Sequence, residues 1–319
     1  MINKELNHRK VAMIGCGFVG SASAFSLMQS GLFSEMVLID ADRDKAEGEA
    51  MDISHGVPFG EPMKIYAGDY DDIVDAAVVI VTAGANQKPD ETRLDLVHKN
   101  VGIFKSIMPE IAKRNYQGIL LIVSNPVDIL TYTALKLSGL PEQRVIGSGT
   151  VLDTARLKSK LGEHLGVDSR SVHAFILGEH GDSEIAAWSS ANVSGIPLDT
   201  FCEMRGHFNH DEATEKIAET VKNSAYEIIA KKRATYYGIA MSVKRICEAI
   251  TRNEKSILPV SGMMHGEYGI TDVVLSMPAI IGANGLEDQV PVSLDEVEQE
   301  KLRASANALK TVLADIDLM

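Results

Sequence analysis

The first half of the chain contains four short and almost continuous apolar runs. They lie at residues 11–14, 36–39, 77–81 and 119–123. Runs of this kind are typical of strands that are buried on both faces of a sheet. Two segments with helical spacing, residues 21–31 and 91–115, lie between them. Because alternating strands and helices form right-handed βαβ units, the pattern predicts an α/β domain with a doubly wound parallel sheet.

The second half of the chain has a different pattern. Residues 211–232 are polar with helical spacing, and residues 272–281 are rich in strand formers. This combination indicates a mixed α+β domain. We expect the last helix to begin at Ser293, because Glu296 would complete a capping box and Asp295 would add charge that favours a helix N-terminus.

Length and composition indicate two domains. A chain of 319 residues exceeds what one hydrophobic core usually spans, and its 45% apolar content can fill two cores. We place the domains at residues 1–148 and 149–319. The 31 basic and 44 acidic side chains give a net charge of −13, which repels phosphate backbones and anionic lipid heads. We therefore expect neither nucleic acid nor a membrane as a partner.

The first residues of the chain lack the apolar core of a signal peptide, and no apolar run approaches the ~20 residues of a membrane-spanning helix. We expect a soluble, cytoplasmic protein. The three cysteines, Cys16, Cys202 and Cys247, include no Cys-x-x-Cys pair. They predict neither a disulfide framework nor a metal site.

A glycine-rich sequence, GCGFVG at residues 15–20, follows the first apolar run. The pattern G-x-G-x-x-G alone is a weak signal, but in this chain it lies between a predicted strand and a predicted helix. In that position the glycines bring backbone N–H groups against the pyrophosphate of a dinucleotide. The alternative is a tight turn that binds no ligand.

Asp40 ends the second apolar run, 20 residues after Gly20. An acid at this place accepts hydrogen bonds from the adenosine ribose and repels a 2′-phosphate, so the sequence favours NAD over NADP. Arg43 keeps NADP as an alternative, and a solvated strand end is the structural interpretation of Asp40.

Two short motifs in the second half carry candidate chemistry. His180 lies between small and acidic residues in GEHGD, and imidazole titrates near neutral pH, as suits proton transfer. Asp153 and Arg156 are three residues apart, so they share one face if the segment is helical. Each motif also has a purely structural interpretation. His180 could be a buried polar histidine, and Asp153 and Arg156 could form an ordinary surface ion pair.

These motifs occur with others in a characteristic order along the chain. They are GCGFVG at 15–20, QKPDETR at 87–93, SNP at 124–126, LDTAR at 152–156, GEHGD at 178–182 and ATYYG at 234–238. Over nearly its full length, the chain thereby resembles the lactate/malate dehydrogenase family. The resemblance implies an N-terminal Rossmann domain that binds NAD, a C-terminal substrate domain, and hydride transfer between NADH and a 2-oxo acid.

The resemblance also implies roles for matching residues. His180 would exchange the proton with the substrate, and Asp153 would orient its ring and stabilise its cation. Arg156 would bind the substrate carboxylate with a two-pronged donor, and Arg93 would polarise the reacting carbonyl. Gln87, Asn125 and Thr235 complete the substrate set. The cofactor set is Gly15, Gly17, Phe18, Val19, Gly20, Asp40, Ala83, Gly84, Ser124, Asn125 and Ile239.

The resemblance places substrate choice at Gln87, where the malate branch of the family has arginine. A neutral amide offers a second carboxylate no charge partner, and burying an unpaired carboxylate costs several kcal/mol. We therefore expect pyruvate as substrate and L-lactate as product. Lys88 keeps a malate dehydrogenase, or another 2-hydroxy acid dehydrogenase, as the alternative. Asp90 stands where relatives usually have glycine, and we expect it to slow closure of the loop.

Regulation and assembly are implied only by the resemblance. Many bacterial members are tetramers that fructose bisphosphate activates by binding an arginine and a histidine between subunits. The matching positions of this chain hold Lys158 and His173, so a basic pair is present without the arginine fork. We expect a homotetramer and leave activation open. A non-catalytic NAD-binding protein on the same fold is the alternative of a different class.

Overall fold

A computed structural model of the chain describes residues 5–85 and 92–317, with the side chain of Arg93 left out. Strands and helices alternate through the first half. The elements are β1 (Asn7–Ile14), α1 (Phe18–Ser30), β2 (Glu35–Ile39), α2 (Arg43–Ser54), β3 (Lys64–Ala67), β4 (Ala76–Val81), α3 (Arg93–Lys113), β5 (Ile119–Ile122), α4 (Val127–Leu137) and β6 (Val145–Gly147). The strands and helices that the hydrophobic pattern predicted in this half are all present.

The six strands of this half form a parallel sheet in the order β3-β2-β1-β4-β5-β6. This is the doubly wound order, in which the chain reverses direction across the sheet between β1 and β4. The side chains of β4 explain its continuous apolar sequence. Val79 and Val81 pack into the core on one face, and Val78 and Ile80 into the core on the other. A strand buried on both faces needs no polar residues.

The second half adds helices and short strands. The elements are α5 (Val151–Leu165), β7 (Val172–His173), β8 (Ile176–Leu177), β9 (Ile185–Ala186), β10 (Asn192–Val193), β11 (Ile196–Pro197), α6 (Leu198–Met204), α7 (His210–Lys232), α8 (Tyr237–Thr251), β12 (Ser256–His265), β13 (Thr271–Gly282), β14 (Gly285–Gln289) and α9 (Glu296–Ala314). Among the helices of the described ranges, none combines the length and the apolar character needed to cross a bilayer.

The mixed character expected of the second half is confirmed, and its strands β12–β14 extend the parallel sheet. They join it in antiparallel orientation, where Ser261 of β12 pairs with Gly147 of β6. One sheet therefore runs through both halves, with α1, α2 and α8 on one face and α3, α4 and α9 on the other. The domain boundary at residue 148 stays a prediction.

The start of the last helix was predicted wrongly. Helix α9 begins at Glu296, and its N-cap is Asp295, not Ser293. The Asp295 carboxylate accepts the backbone N–H of Glu298 at 2.8 Å, and the Glu298 carboxylate accepts that of Asp295 at 3.1 Å. Glu298 is buried and also accepts the N–H of Ser189. This contact with Ser189 favours the capping box of Asp295 and Glu298 over the predicted box of Ser293 and Glu296. The sequence pattern does not reveal the contact.

Candidate active site

The carboxyl ends of β1 and β4 line a crevice at the point where the strand order reverses. Gly15, Gly17, Asp40, Ala83 and Gly84 from the predicted cofactor set all lie on its walls. In open α/β sheets this is the place where dinucleotides bind.

The three glycines of the loop serve different purposes. Gly15 has φ of 103°, and a Cβ there would lie 2.5 Å from the backbone nitrogen of Ala83. A Cβ on Gly20 would lie 2.0 Å from the Gly15 carbonyl oxygen. Both positions are therefore closed to side chains by packing. A Cβ on Gly17 would meet no described atom within 4 Å, so this position faces the open crevice.

The loop fits a dinucleotide pyrophosphate. Helix α1 follows its N-cap Gly17 with no side-chain cap from the described residues, so the first N–H groups of the helix remain for an anion, which the helix dipole also favours. Phe18 and Val19 are the first two residues of this helix, so their backbone N–H groups are among those at its N-terminus. The Phe18 ring turns to solvent and stacks on Tyr236 with centroids 5.5 Å apart, and Val19 packs partly against the core.

Asp40 and Ser124 support the crevice in different ways. Both carboxylate oxygens of Asp40 accept backbone N–H groups, from Cys16 at 2.6 Å and from Asp42 at 3.0 Å. These bonds hold the acid at the crevice wall, where it suits an adenosine ribose. The buried Ser124 hydroxyl donates to the Ala83 carbonyl at 2.7 Å and ties the ends of β4 and β5 together.

The candidate catalytic residues meet at a second cavity. Asp153 on α5 is buried, and its two carboxylate oxygens bind different partners. One lies 2.6 Å from Nδ1 of His180, and the other accepts from Nη1 of Arg156 at 2.9 Å. The ion pair is therefore not a surface pair, and the histidine is not an isolated core residue. With Nδ1 engaged by Asp153, Nε2 is the ring nitrogen left for a substrate.

Charges in this cluster determine its protonation. Burial disfavours the charged imidazole, but the Asp153 carboxylate outweighs that cost and raises the pKa of His180 to about 9. Burial likewise opposes ionisation of Asp153, yet His180 and Arg156 together hold the pKa of this carboxyl below its usual value. At neutral pH the pair is therefore an imidazolium and a carboxylate, so His180 is ready to donate a proton.

Sequence reasoning missed Asp128. This buried acid in the first turn of α4 accepts the backbone N–H of His180 at 2.7 Å and the hydroxyl of Ser261 at 2.6 Å. Burial raises its pKa to about 6, although these hydrogen bonds oppose the shift. Asp128 thus joins α4, β12 and the histidine loop. An acid near a helix start is ordinarily attributed to the helix dipole, and no local signal indicates a partner 52 residues away.

Asn125 and Asn100 connect this cavity to Ala85, the last described residue before position 92. Asn125 lines the cavity together with Arg156 and His180. The buried side chain of Asn100 on α3 was not predicted. Its amide donates to the Asn125 carbonyl at 2.7 Å, and its oxygen accepts the N–H of Ala85 at 2.8 Å. Asn100 therefore holds Ala85 against the end of β5.

Several predicted residues lie away from the two cavities or outside the described residues. Gln87, Lys88 and Asp90 lie outside the described residues, as does the Arg93 side chain, although Arg93 itself begins α3 behind a capping box of Thr92 and Asp95. The described cavity walls do not include Thr235, in the loop before α8, or Ile239, in the first turn of α8. Lys158 is half-buried on α5, where burial lowers its pKa, and His173 is exposed on β7.

Comparison with known proteins places this geometry in a family. Residues 9–147 match the model of the lactate/malate dehydrogenase NAD binding domain, and residues 150–317 match that of the lactate/malate dehydrogenase alpha/beta C-terminal domain. The chain belongs to the lactate/malate dehydrogenase family. Its N-terminal half is the NAD-binding domain of that family, and the family expected from the sequence motifs is confirmed.

Relatives of this chain within the family carry lactate dehydrogenase names. An L-lactate dehydrogenase of Acetivibrio thermocellus is 54% identical over 97% of this chain and 98% of the relative. L-lactate dehydrogenase 1 of Clostridium acetobutylicum is 53% identical over 96% and 98%. The crystal structure of the minor L-lactate dehydrogenase from Enterococcus mundtii in the ligands-bound form is similar, with a TM-score of 0.94, 46% identity and coverage of 98% and 99%.

Proposed function

We propose that this protein is an NAD-dependent L-lactate dehydrogenase, which reduces pyruvate with NADH and oxidises L-lactate in the reverse direction. The observation that carries this function is the bridging carboxylate of Asp153, which contacts His180 at 2.6 Å and Arg156 at 2.9 Å on the wall of one cavity. A proton donor and an anion-binding guanidinium are thereby held side by side. A 2-oxo acid needs both groups.

The proton step follows from the charge of His180. Because Asp153 raises the pKa of His180 to about 9, the ring is cationic at neutral pH and its Nε2 can donate a proton to the carbonyl oxygen of pyruvate. When bound in the crevice, NADH would supply the hydride for the carbonyl carbon. The developing alkoxide takes the proton, and His180 becomes neutral beside Asp153. In lactate oxidation, the neutral ring accepts the hydroxyl proton.

Arg156 orients the substrate. One of its N–H groups is held by Asp153, which fixes the plane of the guanidinium, and its side chain is only 14% exposed. The remaining donors can bind the substrate carboxylate in a bidentate pair, which lysine cannot reproduce. The residues expected to complete the cavity, Arg93 and Gln87, belong to this proposal through the family resemblance.

A direct test follows NADH oxidation by the purified protein at matched concentrations of pyruvate and oxaloacetate. We expect a strong preference for pyruvate. A strong preference for oxaloacetate would make malate dehydrogenase the better assignment, with Lys88 as the charge partner of the second carboxylate. Binding of NADH without turnover of either substrate would favour a non-catalytic NAD-binding protein.

Self-association of the chain is supported by exposed apolar side chains on α1 and α8. Phe25 of α1, together with Tyr237 and Met241 of α8, is exposed, and the Ser26 hydroxyl lies 3.6 Å from the sulfur of Met241, so the two helices adjoin. Exposed large apolar side chains on adjoining helices are typical of an interface. A homotetramer predicts four times 34.5 kDa by light scattering, and Met241→Glu should lower that mass. A monomeric wild type would contradict the assembly.

Regulation and location also remain parts of this proposal. A bisphosphate would need Lys158 and His173 at a subunit boundary, without an arginine fork. The test is to measure activity at limiting pyruvate as fructose bisphosphate is added. A rise in activity would show activation, and a flat titration would show that there is none. A cytoplasmic location would be seen by cell fractionation, and regeneration of NAD⁺ in fermentation would be its use there.

A further inference from the structure

Glu184 is a carboxyl group on the catalytic cavity that the mechanism above does not use. It lies in the loop after His180, immediately before β9, and is half-buried. A carboxylate oxygen of Glu184, a ring nitrogen of His180 and a carboxylate oxygen of Asp153 lie within 4.8 Å of one another. Two acids therefore share the catalytic histidine, and only Asp153 forms the direct hydrogen bond.

The groups that face Glu184 come from three parts of the fold. Asp153 and Arg156 face it from α5, His180 and Asp182 from its own loop, and Lys222 from α7. On its other side, Glu184 lines a third cavity, separate from the cofactor crevice and the catalytic cavity. Lys222 and two further acids of α7, Glu215 and Glu219, also line it. Glu184 thus forms part of the wall between the catalytic cavity and this third cavity.

The charge balance of this wall depends on Glu184. Asp153 is negative, while Arg156 and His180 are positive, so these three groups carry one net positive charge at neutral pH. A 2-oxo acid monoanion neutralises that charge. An ionised Glu184 would add a negative charge beside Arg156 and His180, where it would compete with the substrate carboxylate for these cations and repel it within a partly buried site.

We propose that Glu184 couples a proton to substrate binding: its neutral form admits an anionic 2-oxo acid, and its ionised form repels the substrate carboxylate. This rests on the proposed 2-oxo acid reduction. Protonation of Glu184 is consistent with its position. Burial and the neighbouring Asp153 anion raise the pKa of Glu184 to about 8, although His180, Arg156 and Lys222 oppose the shift. The acid is thus mostly neutral at neutral pH and ionises under mildly alkaline conditions.

The coupling has a signature that packing alone does not produce. If both Glu184 and His180 must be protonated for an anion to bind, the logarithm of its Kd rises with a limiting slope of about 2 per pH unit above both pKa values. If only His180 is required, the limiting slope is about 1. A purely structural residue would change the Kd by a constant factor and leave the slope as it is.

The test measures the Kd of oxamate, an unreactive anionic analogue of pyruvate, for the NADH complex from about pH 7 to about pH 10, where both groups titrate. We expect a limiting slope of about 2 in the wild type and about 1 in Glu184→Gln. This variant should therefore bind oxamate about 100-fold more tightly at about pH 10, which is about two pH units above the pKa of Glu184. Glu219→Gln is the matched control, because it removes an exposed acid of the same wall on α7. It should keep the wild-type slope.

Equal slopes in Glu184→Gln and Glu219→Gln would overturn the inference. Should Glu184→Gln fail to fold, proton uptake by the wild type decides the question. Oxamate binding at about pH 9.5, where both Glu184 and His180 are mostly deprotonated in the free enzyme, should take up more than one proton per site, and uptake of one or fewer would contradict the coupling. A wild type that binds NADH but neither binds oxamate nor reduces pyruvate would refute the proposed function itself. An active wild type with equal slopes in the two variants would instead refute only the role of Glu184.

Discussion

The cofactor crevice and the catalytic cavity are built by different means. The glycine loop at residues 15–20 shapes the pyrophosphate end of the crevice through its backbone, and its positions Gly15, Gly17 and Gly20 act by lacking side chains. The cavity wall consists of side chains from separate stretches, with Asp153 and His180 27 residues apart. A substitution in the crevice is therefore expected to act through ligand space and packing. In the cavity wall it should act through charge and protonation.

The largest effect is expected from His180→Ala. Loss of the proton donor should lower kcat for pyruvate reduction by about 10³-fold, within the range that general acid catalysis contributes. Because the crevice is built by other residues, the Kd of NADH should change less than about threefold. Steady-state kinetics and NADH fluorescence measure the two quantities. A kcat within tenfold of the wild type would remove His180 from the mechanism, and a lost NADH site would show that the two regions are not independent.

A smaller but more specific effect is expected from Asp153→Asn. The Asp153 anion raises the pKa of His180, so a neutral amide should let that pKa fall towards its ordinary value. The imidazolium is the form that donates, and its population disappears as pH rises through the pKa. The alkaline limb of the pyruvate rate profile should therefore move to lower pH by at least one unit, with kcat near neutral pH reduced about 10²-fold. An unmoved limb would contradict the role of Asp153.

The crevice provides a matched pair of glycine substitutions. In Gly17→Ala the new Cβ enters open space, so the melting temperature should stay the same while the Kd of NADH rises about tenfold, about 1.4 kcal/mol. In Gly20→Ala the new Cβ meets the Gly15 carbonyl at 2.0 Å, so the melting temperature itself should fall. Calorimetry and NADH titration separate the two effects. If the two variants behaved identically, the account in which Gly20 serves packing and Gly17 leaves room for the cofactor would be wrong.

An effect of similar size, on substrate choice instead of cofactor binding, is expected at Gln87, which lies outside the described residues. Gln87→Arg should raise kcat/KM for oxaloacetate relative to pyruvate by at least tenfold, about 1.4 kcal/mol of transition-state discrimination. The reason is that a guanidinium supplies the charge partner that the second carboxylate lacks. Competition of the two substrates in one assay gives the ratio. Gln87→Leu serves as the control, since it removes the amide without adding charge, and an unchanged ratio in Gln87→Arg would place specificity elsewhere.

The sequence predicted the crevice better than the cavity, for a physical reason. GCGFVG, the preceding apolar run and Asp40 are local signals, because a tight turn between a strand and a helix needs glycine at fixed positions. The same holds for Asp153 and Arg156: their spacing of three residues put them on one face if the segment was helical, and both lie on α5 in contact with each other.

Contacts between distant segments could not be predicted in this way. That Asp153 also binds His180 came from the family resemblance, since no periodicity relates α5 to the histidine loop. Asp128 and Asn100 were missed because their partners are brought near only by the sheet order, which places α4 and α3 beside the end of β5. The cap of α9 was predicted wrongly for the same reason: Glu298 has a partner in Ser189 that is distant in sequence.

The central claim is that Asp153 keeps His180 protonated at neutral pH. Nuclear magnetic resonance of protein with labelled histidine rings measures this directly, and the signal of His180 among the nine histidines is assigned by its absence in His180→Ala. We predict that the His180 ring remains an imidazolium through neutral pH and titrates near the pKa of about 9. Titration at or below the ordinary value of about 6.5 would contradict the claim.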